Sequence, residues 1–105
     1  MAGRSTLLRA KTALNTTAEH GLRGLNCAGA VWVVPNGTVT AGSVRIDISP
    51  DSYGTRRWVE VATISPTSDI EVVSIDYPVG AIRATITDAV LGGGSIDVMF
   101  IWTEE

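Results

Sequence analysis

His20 and Cys27 are the only histidine and the only cysteine in the chain, so histidine–thiol chemistry would fall to that one pair. A cysteine nucleophile needs a neighbouring base or cation to hold it as thiolate. Cys27 lies between Asn26 and Ala28 beside an apolar run, and nothing in the spacing brings it to His20. The sequence predicts a small buried thiol and a solvent-exposed or locally hydrogen-bonded imidazole. One histidine rules out a multi-histidine metal site within one chain, and one cysteine rules out an internal disulfide. Asp47, Asp76, Asp88 and Asp97 are oxygen donors of the kind that hold calcium, but their spacing matches no calcium loop. They are expected as solvated carboxylates on strand faces and turns. A glycosidase would need two opposed carboxylates in a cleft, and the acids here carry no such signature. Serines and threonines are abundant without a nucleophile-elbow pattern. Gly92-Gly93-Gly94 lacks the Lys and Ser or Thr that follow in a phosphate-binding loop and reads as a turn. No catalytic residues, cofactor or metal are expected, and the chain reads as a non-enzyme.

The tryptophans say more. Trp32 and Trp102 are flanked by apolar residues, as core or interface side chains are. Trp58 sits among Arg56, Arg57 and Glu60. Packing across a core and a polar rim, anchoring a protein interface, and stacking on a sugar ring all suit it.

The elements that would position these residues are strands. Ile82, Ala84 and Ile86 alternate with Arg83, Thr85 and Thr87; Ile96, Val98, Phe100 and Trp102 alternate with Asp97, Met99 and Ile101. Side chains two apart in an extended chain share a face. The first run is therefore half apolar, and the second is apolar on one face and mostly apolar on the other. With Asp88 and three glycines between them, they are expected as an antiparallel pair, Ala81–Asp88 with Ser95–Trp102. Val44, Ile46 and Ile48 form a further apolar face opposite Arg45, Asp47 and Ser49. Ala30 to Val34 is apolar on both faces, and Asn36-Gly37 after it is a favoured hairpin turn. Strands are also expected from Arg57 to Thr63 and from Ile70 to Ile75, separated by turn-rich segments at Ser49–Thr55, Pro66–Asp69 and Asp76–Gly80. Six strands follow residue 30, with one or two before it. Closely spaced short strands without a long helical period predict an all-β antiparallel sandwich or small barrel. Before residue 21, Leu7, Ala10, Lys11 and Leu14 allow one helical stripe, while Leu8, Ala10 and Thr12 suit an extended arm or edge strand, which is favoured. The expected division is an N-terminal arm over residues 1–20 and a β-sandwich domain over residues 21–105.

A chain of 105 residues fits one domain. The formal charge of −3 with eight basic residues, of which only Arg56 and Arg57 are adjacent, argues against a nucleic-acid partner, which needs clustered cations. No stretch reads as a secretion signal or approaches a membrane span. An intracellularly made, soluble protein is expected, and the tripeptides Asn15-Thr16-Thr17 and Asn36-Gly37-Thr38 read as turn chemistry rather than glycosylation sites.

The runs Ser43-Val44-Arg45-Ile46-Asp47-Ile48-Ser49-Pro50-Asp51, Arg57-Trp58-Val59-Glu60-Val61 and Tyr77-Pro78-Val79-Gly80-Ala81-Ile82-Arg83-Ala84-Thr85-Ile86-Thr87 resemble small β-sandwich structural proteins encoded among the virion genes of tailed bacteriophages. The resemblance spans residues 29–102. It implies a jelly-roll-like sandwich, Trp58 as a strand anchor, Pro78 as a bend, Ile82, Ala84 and Ile86 as core, and Arg83 on the polar face or at a contact. It carries over no catalytic residue. It implies a capsid decoration or cement protein, located in the virion and assembled in the host cytoplasm. The expected partners are further copies of the chain, a trimer being preferred, and the major capsid protein or another virion protein. The alternative is a carbohydrate- or receptor-binding module on the phage tail or capsid surface. The segment Val98 to Trp102, apolar on both sides, departs from the pattern and favours assembly. The residues expected at the interface are Leu7, Leu8, Leu14, Trp58, Val98, Phe100 and Trp102.

Overall fold

A computed structural model describes residues 2–21, 27–51, 54–65, 69–75 and 79–104, with backbone alone at positions 2, 27, 28, 103 and 104. The strands are β1 (Ala2–Lys11), β2 (Thr17–Gly21), β3 (Cys27–Asn36), β4 (Ala41–Ser49), β5 (Val59–Ile64), β6 (Glu71–Ile75), β7 (Ala81–Leu91) and β8 (Ser95–Glu104). They form two four-stranded antiparallel sheets, ordered β1-β8-β3-β6 and β2-β7-β4-β5. Among the described residues six strands lie beyond residue 26 and two before it, and the all-β sandwich expected from the alternation is present. The glycine-broken segment 22–26, Pro66, Asp76 and Pro78, and the side chain of Cys27, lie outside the described residues.

The expected pairing of the two longest alternating runs is not formed. β7 is bonded to β2 and β4, and β8 to β1 and β3. Each run has a fully buried face: Ile82, Ala84 and Ile86 on β7, and Ile96, Val98 and Phe100 on β8. Side by side in one sheet, these faces would form a single apolar surface needing a further layer. In separate sheets they cover each other across the interior. The glycines between them carry the chain across. Gly92 has φ +110°, and a Cβ there would lie 2.8 Å from the Thr40 nitrogen. That closeness lets the segment lie against residues 38–40, where Gly94 N–H donates to Thr38 O (2.8 Å) and Thr40 N–H to Leu91 O (2.8 Å).

The Asn36-Gly37 step is likewise a crossover rather than a hairpin, since β3 and β4 belong to different sheets. Of the two residues only Gly37 takes a positive φ, whereas the favoured two-residue hairpin turn needs it at both. The sole sequential pair kept within a sheet is β4 and β5; every other connection crosses between sheets.

The N-terminal residues are in the sandwich. β1 pairs with β8 from Ala2↔Thr103 to Lys11↔Ile96, and β2 pairs with β7 from Thr17↔Thr85 to Gly21↔Ala81. The extended alternative for residues 6–14 holds as far as Lys11, with bulges after Thr6 and Leu8. At the second bulge Ala10 takes φ +52°, and its N–H donates to Asp97 Oδ1 at 2.7 Å. The expected arm boundary at residue 20 falls inside β2. Leu7 and Leu8 join Val31, Val33, Val44, Ile46, Ile75, Val98 and Phe100 in one core.

Candidate functional site

The two sheets turn unlike faces outward. On β2-β7-β4-β5, the positions between core residues are polar. Glu19, Arg83, Asp47 and Glu60 lie in one row across the four strands. Asp47 is only 3% exposed, far more buried than a carboxylate on an outer face is expected to be. Its Oδ2 accepts from Arg45 Nε (3.2 Å) and from Arg83 Nε (3.1 Å) and Nη2 (2.9 Å). A buried charge requires such partners. The Arg83 guanidinium also lies 4.3 Å from the Trp58 ring centroid, a cation–π contact.

The β4–β5 connection contacts this row at Glu19 and Arg83. Asp51 anchors its start: it accepts from Arg57 N (2.9 Å), Arg57 Nε (2.9 Å) and Arg57 Nη2 (2.8 Å). These bonds, with the guanidinium charge, hold the Asp51 carboxyl well below the usual carboxylate range. Arg56 reaches Glu19 on β2 in an ion pair, and Trp58 meets Arg83 on β7, so side chains of the connection contact two strands beyond β4. Trp58, half-buried, precedes β5 rather than lying within it. Arg83 occupies one face of the indole, which is the kind of surface sugar stacking would use.

Ser43 donates to Asp88 Oδ2 (3.1 Å) and shares a short hydrogen bond with Thr87. Asp97 lies in the other sheet. Among the described residues, Asp47, Asp88 and Asp97 do not converge, and no group of three His, Cys, Asp or Glu is placed to hold a metal.

The outward face of β1-β8-β3-β6 is apolar at its centre. Directly opposed residues share a face, which gives the row Thr6–Met99–Trp32–Val72 and the row Arg4–Ile101–Ala30–Ser74, with Val34 opposite Asp97. Val72 is 48% exposed and Ile101 37%; Trp32, Val34 and Met99 are half-buried. No loop comparable to the β4–β5 connection crosses this face among the described residues.

The residues expected at an interface divide between the surface and the core. Leu7, Leu8, Val98 and Phe100 are buried in the chain's own core, and Leu14 is exposed in the β1–β2 connection. Trp102 is half-buried at one end of the interior. It stacks on Phe100 (5.4 Å between centroids), with His20 at 5.8 Å, and lies over Gly3, where a Cβ would collide with the indole. His20 is thus an aromatic neighbour of the core rim. In sequence β3 and β8 are apolar on both sides, and the residues of β8 expected at an interface are its inward set. Met99, Ile101 and Trp32 carry the outward set, and period-two parity counted from Phe100 would have found them.

No family model matches the chain, and no curated protein matches it.

Proposed function

We propose that this chain is a structural protein of a bacteriophage virion, a capsid decoration or cement protein that contributes binding free energy to a shell and performs no chemistry. The observation that carries the reading is the outward face of β1-β8-β3-β6, with Trp32, Val34, Val72, Met99 and Ile101 in adjacent rows. Apolar surface gathered on one side of a small domain gains free energy when a partner covers it. The partners proposed are further copies of the chain, forming a trimer, and the major capsid protein or another virion protein.

The strand order supports the finer fold reading, a jelly roll. β1·β8, β2·β7, β3·β6 and β4·β5 are neighbours, as when one long hairpin of eight strands is wrapped into two layers. That architecture recurs in viral capsid domains and also in lectins, so it serves both this reading and the carbohydrate-binding alternative. The occupied indole face of Trp58 favours the first.

The test is retention on purified capsids lacking the chain, comparing the native sequence with a Trp32→Ser, Ile101→Ser variant by co-sedimentation. The expected result is retention of the native chain and about a tenfold or greater loss in the variant, with an unchanged circular dichroism spectrum. Equal retention of both would reject the apolar face as the contact. Failure of the native chain to associate, together with glycan binding abolished by Trp58→Ala, would put the alternative in its place.

A further inference from the structure

The β1-β8-β3-β6 sheet ends in two strands of opposite charge. β1 carries Arg4, Arg9 and Lys11 and no acid. β6 begins at Glu71, with Asp69 two residues before it, and carries no base. All five side chains are exposed, and among the described residues none of them is in an ion pair. Both strands are paired on one side only, β1 to β8 and β6 to β3. In an antiparallel ladder an edge strand turns alternate N–H and C=O groups outward, where another strand can bond them.

We propose that copies of this chain associate by pairing β1 of one with β6 of the next, continuing the sheet from protomer to protomer. The proposal rests on the homo-oligomer inferred above and names the surface that makes it. Electrostatics chooses among the three possible edge pairings. A β1–β1 contact about a two-fold axis centred on residue 4 would set Arg4 directly against Arg4. A β6–β6 contact about a two-fold axis centred on residue 70 would set Asp69 directly against Glu71 of the other copy. Like charges opposed across strands are destabilising. The heterologous pairing sets the basic edge against the acidic one; Arg4 lies on the outward face with Ile101 and Glu71 on the parity of Val33, so the attraction acts between the edges as a whole rather than within one opposed pair, and each repulsion then acts against the wrong arrangement.

Strand length and direction agree with this choice. The unbroken register of β1 runs from Ala2 to Thr6, before the first bulge, and β6 has five residues, Glu71–Ile75, so the regular parts of the two edges match in length. Each strand of the sheet is antiparallel to its neighbour. Rotation about an axis along the strands therefore brings β1 beside β6 in antiparallel sense and keeps the alternation. A heterologous contact of this kind closes into a ring when the rotation permits. It would also cover Val72 and Ile70, 48% and 54% exposed on and just before β6.

The test is mass measurement of the full chain over a dilution series, with charge reversals at either edge. Arg4→Glu with Arg9→Glu, and separately Asp69→Lys with Glu71→Lys, should each weaken association about tenfold or more, and all four changes in one chain should restore most of it. Hydrogen exchange supplies a readout without substitutions: amides within residues 2–6 and 71–75 should gain protection as protein concentration rises. An oligomeric native chain whose reversals leave its mass unchanged, or whose edge amides gain no protection, overturns the edge pairing and leaves the homo-oligomer standing. A native chain monomeric at every concentration overturns both.

Discussion

Phe100 and Met99 are consecutive residues with opposite fates. Phe100 is fully buried between the sheets beside Val31, while Met99 lies outside the sandwich against Trp32. Removing a buried aromatic side chain costs its transfer free energy plus that of the cavity left behind. Phe100→Ala should therefore lower stability by about 3–5 kcal/mol. Met99→Ala deletes a half-buried side chain at the surface and should cost about 1 kcal/mol or less. Chemical denaturation of the two variants checks the assignment: a larger loss from Met99→Ala than from Phe100→Ala would mean that the inward and outward sets of β8 were interchanged. The alternation itself was legible in the sequence. Which parity met the opposing sheet was not, because on β8 both parities are largely apolar and the choice depends on strands remote in sequence.

At the scale of elements, the described residues of the β4–β5 connection show how a turn-rich segment is tied to the sheet. Its Asp51–Arg57 bonds close the loop locally, and its Arg56–Glu19 pair ties it to the far edge of the sheet. Because Arg57 depresses the Asp51 pKa in the folded chain, ionised Asp51 favours the folded state. That contribution is fully present above the ordinary carboxylate pKa of about 4 and is lost as pH falls through the lower folded value. Asp51→Asn should accordingly narrow the stability difference between neutral and strongly acidic solution. Thermal melts across that range test the sign, and a native chain and variant with parallel pH profiles would contradict it.

The strands themselves were readable, since Val44, Ile46 and Ile48, or Ile82, Ala84 and Ile86, mark an inner face by period two alone. Their neighbours were not. A strand offers hydrogen-bonding groups on both edges whatever its side chains, so the glycines at 92–94 suited a hairpin as well as the crossover they make. Asp47 was legible as an outer-face residue. Its burial was not, because the Arg83 side chain that bonds it comes from a separate strand.

For the whole molecule, the position of β1 changes what its removal should do. A detachable arm could be deleted with the sandwich intact. β1 instead supplies Leu7 and Leu8 to the shared core and a flank to β8. Each buried leucine is worth about 2–5 kcal/mol on truncation, against a total stability of about 5–15 kcal/mol for a domain. Deleting residues 1–14 should leave the chain without a cooperative thermal transition. A sharp transition at the native temperature would show that the core closes without β1.

The pairing of Ala2 with Thr103 also sets how the domain bears load. With the first and last strands antiparallel neighbours, tension applied at these two positions pulls across their shared ladder, and the hydrogen bonds open one after another from that end. Had the strands been loaded along their length, the bonds would have resisted together. A domain strung between two tethers at these points therefore yields by peeling at modest force, with β1 parting from β8 before the rest of the sandwich is strained. Attachment through its broad faces spares that seam.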